Sequence, residues 1–170
     1  MENNKIRFIT RTGILLAVAL VVQMGGFPQP ITGPLINTIL YLAALLVGGW
    51  SGIIIGICTP VIAFMRGILP PPLGPMIPFI ALGNGVLVVV FSILKGKNKI
   101  LGIIIASLVK YLILFAAVSY IVDVPDKIAQ IMSLPQLFTA LSGGVIAILA
   151  YKALWAIGIN RTKEIPKDIK

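Results

Sequence analysis

The stretch RGILPPPLGPMIPFIALGN, residues 66–84, decides how this chain is read. It begins with a cation that closes one apolar run and ends with a carboxamide inside the next. Pro70, Pro71, Pro72, Pro75 and Pro78 crowd its middle, with Gly67 and Gly74 between them. Each proline ring fixes φ and removes a backbone donor, so an α-helix cannot run through the triple. The triple predicts a stiff, extended polyproline segment instead. A rigid crossing between two very hydrophobic runs serves either as one wall of a site or as a spacer.

Outward from that stretch the chain is greasy in both directions. Its 170 residues suffice for one domain. A composition of 58% hydrophobic and 11% charged residues, with a mean hydropathy of +1.05, excludes an ordinary soluble domain. Long apolar runs separated by short polar or Pro/Gly breaks read as a polytopic membrane protein. Six spans are predicted, at about 8–25, 34–48, 51–69, 76–94, 100–121 and 135–158, each able to cross about 30 Å of hydrocarbon. The fold class is therefore all-α, a six-helix transmembrane bundle forming one integral membrane domain over residues 1–170. The run at 14–22 lacks a small-residue cleavage site, so no cleavable signal is expected.

Local signals set the expected boundaries. Gly33-Pro34 opens the second span, with proline suited to the first helical position. Gly48-Gly49-Trp50-Ser51-Gly52 makes a tight turn into the third, where Pro60 should kink the helix and free a carbonyl near Gly56. Ser133 and Gln136 predict a capping box for the sixth span, with Pro135 in its first turn.

Charge orients the bundle. Lys5, Arg7, Arg11, Lys95, Lys97, Lys99, Arg161, Lys163, Lys167 and Lys170 fall on the side of the termini, and only Arg66 and Lys127 on the other. The positive-inside rule places both termini in the cytoplasm. The net charge of +9 is thus topological, and no nucleic acid partner is expected. Loops 25–33, 67–75 and 122–134 face outward. Spans two, four and six then start outside, at Pro34, Pro75 or Pro78, and Pro135. If those helix N-termini cluster, their partial positive charge favours an anionic or hydrogen-bond-accepting ligand.

Exclusions narrow the chemistry. There is no histidine, and Cys58 stands alone, so neither a disulfide framework nor a thiolate metal site can be built. No acidic residue falls within a span, and no GxxxxGK[ST] loop is present. Ser142-Gly143-Gly144 has no evident base except Lys152 or Lys110. Neither catalysis, a cofactor nor a metal is expected in this chain.

The polar residues inside the spans remain. Lys110 lies mid-span, where insertion of a lysine costs roughly 2.5–3.5 kcal/mol. Ala106, Ser107 and Ala117 share its helix face, which is small and suited to contact with other helices. Four roles fit it: snorkelling, a structural bond to a kinked helix's freed carbonyl, a ligand contact, or ion translocation. Asn84 stands between Gly83 and Gly85, which allow close approach by a backbone or a ligand, and its amide needs partners. Arg66 either snorkels or holds an anionic group at the mouth. Asn37, Tyr41, Tyr120, Gln136 and Thr139 occupy the outer halves of their spans.

Taken together, the spans, PITGPLINTILYLAALLVGGWSGIIIGICTP, LPPPLGPMIPF with the following Asn84, and a small-residue first helix resemble the substrate-binding S components of energy-coupling factor (ECF) vitamin transporters. The resemblance covers most of the chain. It implies a compact bundle in the bacterial inner membrane that captures a vitamin or related micronutrient at its outer face. It also implies docking on a transmembrane coupling protein that carries two cytoplasmic ATPases. The family docks through an alanine-x3-alanine face on the first helix, which Gly13 and Ala17 approximate, with glycine in the first place. For the substrate it points to Asn84, Lys110, Gln136 and Thr139, and to the first outer loop, Phe27-Pro28-Gln29-Pro30-Ile31-Thr32, including Gln29. Arg66, Asn37 and Tyr41 complete the candidate set. A cationic mouth without internal acids favours a carboxylate or other electron-rich vitamin over a cation such as thiamine. A self-sufficient secondary transporter or channel, an intramembrane enzyme and a ligand-free structural subunit are the alternatives.

Overall fold

Prolines and glycines set where the helices of the computed structural model begin and end, over the described residues 2–157. Seven α-helices follow in order: α1 Glu2–Met24, α2 Gln29–Leu46, α3 Gly49–Met65, α4 Ile77–Leu94, α5 Lys99–Ala116, α6 Asp126–Ile131 and α7 Leu134–Ala156. A 3-10 helix, Pro71–Met76, precedes α4, and a π-helical turn, Ala117–Ile121, extends α5. No strand occurs among the described residues. Five stretches are long and apolar enough to cross a membrane: Asn3–Met24, Gln29–Leu46, Pro71–Leu94, Lys99–Ile121 and Asp126–Ala156. The third predicted span corresponds to the shorter apolar helix Gly49–Met65, of 17 residues. The end of the last predicted span and the basic tail, with Arg161, Lys163, Lys167 and Lys170, lie outside the described residues.

Three local expectations are corrected. The triple proline does not stay extended. Pro70 does, but Leu73 N–H bonds the Pro70 carbonyl at 2.9 Å and Pro71–Met76 coils into the 3-10 helix. A proline ring fixes φ near a value common to polyproline and 3-10 conformations, so ψ was left open. The second helix starts at Gln29, not Pro34, because the Pro28 carbonyl already accepts from Ile31 and Thr32; Pro30 takes the first-turn place and Pro34 sits inside. The capping box does not form. Ser133 Oγ donates to Ala129 O at 2.7 Å and Gln136 Nε2 to Ile131 O at 3.3 Å, so both side chains tie α7 to the short α6, which the sequence reading treated as loop. Boundaries also shift at α3, which begins at Gly49 after Gly48 at φ +137° and stops at Met65 before Gly67 at φ +69°.

Helix α2 is the hub, packing on α7, α3, α1 and α4, while α4 lies between α3 and α5. One core cluster centres on Leu40, Tyr41, Ile55, Leu87, Phe91 and Ile103. A second joins Leu73 and Met76 of the 3-10 helix to Leu114, Ala117, Ile128 and Met132. Outward-facing apolar side chains such as Ile14, Val21, Ile93, Leu112, Phe138 and Leu149 suit a multi-pass membrane protein, whose solvent on those faces is hydrocarbon.

Candidate functional site

Lys110 lies on α5 at 3% exposure. Its stem passes over Gly83, where an added Cβ would stand 3.3 Å from Lys110 Cγ. The glycine therefore opens the lane for the lysine, whereas Gly85 faces open space. Lys110 Nζ donates to Asn37 Oδ1 and to Asn84 Oδ1, each at 2.7 Å.

Both asparagine amides are held from behind. Asn37 Nδ2 donates to Gly33 O in its own helix at 2.9 Å, and Asn84 Nδ2 donates across to Gly56 O on α3 at 3.0 Å. Gly56 precedes Pro60 by four residues, so its carbonyl lacks the helical N–H that would otherwise occupy it. The freed carbonyl predicted near Gly56 is thus taken by Asn84. With each amide N–H directed to a carbonyl, each amide oxygen is turned toward the lysine. An ammonium carries three N–H donors. Two have protein acceptors here.

Lys110, Asn37 and Asn84 line a cavity of about 70 Å³. The first turns of α2, α4 and α7 reach the same cavity through Gln29, Thr32, Ile80 and Gln136, which meets the condition that the sequence left open. Gln23 contributes from the end of α1, Pro60 from α3, and Leu69, Leu73 and Met132 supply apolar wall. Gln23 Oε1 is buried without a hydrogen-bond partner among the described residues. Thr32 and Thr59 also line it, but their hydroxyls donate to Phe27 O and Ile55 O.

Of the sequence candidates, Lys110, Asn84, Asn37, Gln136 and Gln29 are brought together. Three are not. Tyr41 is a core residue, its hydroxyl 3.0 Å from Ser107 Oγ and its ring edge-on to Phe91 at 4.8 Å. Thr139 hydrogen-bonds Gln136 O and lines a separate, mostly apolar groove between α2 and α7, with Pro34, Pro135 and Phe138. Arg66 is an exposed cap at the end of α3 and does not line the cavity, since α3 stops before it can turn inward. Sequence reasoning missed Gln23 and Thr59, whereas Thr32 falls in the first outer loop that it singled out. An amide at the far end of an apolar first helix was a signal for Gln23, and Thr59 adjoins the helix-breaking Pro60. On the first helix, Gly13 and Ala17 are exposed, and nothing lies within 4 Å of a Cβ placed on Gly13.

An all-helical, multi-pass bundle with a polar chamber walled by several helices defines a membrane protein of the substrate-handling class. Residues 7–160 match the family described as ECF transporter, substrate-specific component, and the chain belongs to that family. It is thereby a substrate-binding transport subunit rather than an enzyme. Comparison with curated proteins and with solved structures gave no match.

Proposed function

We propose that the chain captures a vitamin or related micronutrient at the extracellular face and delivers it as part of an ECF-type ABC importer. The substrate sits at the Lys110–Asn37–Asn84 cluster. That cluster carries the reading, because a membrane-depth lysine held between two oriented amides beside a cavity is costly unless it serves a ligand. In this reading the six apolar helices all cross, with both termini in the cytoplasm of a bacterial inner membrane, as the distribution of lysine and arginine favours. Sites for small organic ligands are typically about 300–1,000 Å³. A cavity of about 70 Å³ therefore corresponds to a contracted state, and entry requires the outer cover to move. The 3-10 segment and the end of α1 are the cover within reach of the opening.

Partners follow from the same reading: a transmembrane coupling protein and two cytoplasmic ATPases, with α1 as the docking helix. Only 11% of the apolar window of α1 is buried, and its Gly13 and Ala17 face outward. Small residues on such a face permit close helix approach. The test is affinity purification of the tagged chain co-expressed with the coupling module. A stoichiometric complex with two ATPases is expected, and Ala17→Trp should abolish assembly while leaving ligand capture intact. Uptake by the lone chain driven by an ion gradient would overturn the reading, and normal assembly of Ala17→Trp would remove this docking face.

A further inference from the structure

We propose that the molecule held in this cavity is an anion, whose carboxylate or other negatively charged oxygen group sits on Lys110 Nζ as the counter-ion that none of the described residues supplies. The inference rests on the substrate-binding reading above and adds the substrate's charge. Lys110 is buried, yet its two acceptors are neutral amide oxygens. The whole sequence holds five acidic residues, Glu2, Asp123, Asp126, Glu164 and Asp168. Among the described residues none lines the cavity. Glu2 begins the helix whose last turn brings Gln23 to the site, about 30 Å along its axis.

The surroundings are arranged to favour negative charge. A buried cation without an ionic partner is costly, and an opposite charge at contact distance offsets that cost more strongly in a poorly solvated site than in water. The third ammonium donor has no acceptor among the described residues, and the lysine lines the cavity. The first turns of α2, α4 and α7 meet there, adding the partial positive charge of three helix N-termini. A cationic substrate would meet all of these with the wrong sign. The unpaired Gln23 Oε1 adds a second requirement: the same molecule carries a hydroxyl or N–H donor. The ligand class is therefore a small organic acid with at least one hydrogen-bond donor beyond its acid group.

The probe is yeast extract, a mixed source of water-soluble anionic, neutral and cationic micronutrients. The protein in detergent micelles is equilibrated with it, washed and denatured, and the released compound is identified by mass spectrometry. An organic anion is expected. Its primary amide should then bind the unaltered protein at least about a hundredfold more weakly, because the ion pair is lost while the shape is kept. Lys110→Met should weaken the acid by a similar factor and close the gap between acid and amide, while Lys110→Arg retains a preference for the acid. The acid–amide comparison uses wild-type protein, so it stands even if Lys110→Met fails to fold. Release of a neutral or cationic compound, or equal affinity for acid and amide, overturns this inference and leaves the transport-subunit reading in place. Release of nothing above an unrelated membrane protein overturns both.

Discussion

The two ends of the bundle are built on different terms, and two lysines show it. At one end, Lys95 closes α4 and its ammonium donates to the Ala44 carbonyl near the C-terminus of α2. Burial, and then the neighbouring charge of Lys99, lower its affinity for a proton. This lysine has a structural carbonyl to satisfy and belongs to the fold. At the other end Lys110 has neutral amides and a cavity. Between them runs a close-packed middle in which side chains fill the space beside helical glycines: an added Cβ on Gly52 would stand 2.8 Å from the Val88 side chain, and one on Gly144 would clash with the Ile103 side chain. The end that holds the cavity is instead roofed by short helices and proline turns. The difference separates a close-packed frame from a roof of short elements, and the site lies where one meets the other.

The largest break in that contrast comes at Gly143. Its missing side chain lets α7 lie on α2, and an added Cβ would meet Asn37 Cβ and Pro34 O at 2.7 Å and Thr38 N at 3.0 Å. Two of those atoms are backbone, so no rotamer change relieves the clash. Gly143→Leu should cost on the order of 3 kcal/mol or more and displace Asn37 from Lys110. The measure is thermal unfolding in detergent and the yield of monodisperse protein. Gly13→Leu is the control, because its Cβ enters open space and should leave the unfolding temperature unchanged. A Gly143 variant as stable as the Gly13 variant would mean that the middle is not a rigid frame.

What could be read in advance follows the same division. The apolar runs, the carbonyl freed by Pro60 and the burial of Lys110 against other helices were legible, because each rests on a local rule: hydrophobic length, a missing N–H, the cost of a buried charge. The cover was not. Proline specifies φ and not ψ, so Pro70-Pro71-Pro72 could coil as well as extend. Ser133 and Gln136 fitted a capping box until α6 offered them carbonyls from its own last turn. Tyr41 looked like a site residue by depth alone, and only its bond to Ser107 shows that it faces the core. Gln23 escaped notice because what makes it informative, an unpaired buried oxygen, is a property of the assembled site.

Asn84 sharpens the comparison from the side of the site. It joins α3 and α5 through one amide, donating to Gly56 O and accepting from Lys110. Asn84→Leu keeps the approximate volume but strands the Gly56 carbonyl and removes one of the lysine's two acceptors. A cost of about 1–3 kcal/mol is expected from the orphaned group. Substrate affinity should fall by more than tenfold, read by isothermal titration with the compound recovered from the protein, because the lysine loses its aim. If affinity is unchanged while stability drops, the amide belongs to the frame alone and takes no part in the site.

The smallest effect is expected at Thr12, where α1 meets the rest of the bundle. Its hydroxyl donates to Ser51 Oγ on α3 at 2.9 Å, a buried polar tie on a helix that is otherwise largely exposed. Hydrogen bonds between membrane helices contribute about 0.6 kcal/mol on average, because the alternatives within the bilayer also find partners. Thr12→Val, which preserves shape, should therefore lower the unfolding temperature only slightly and leave substrate affinity within about twofold. An effect as large as that of Asn84→Leu would show α1 to be part of the frame, and its end could not then move with the cover that Gln23 helps to form. A small effect leaves α1 lightly held, as a helix must be if it both closes over a ligand and offers its outer face to another protein.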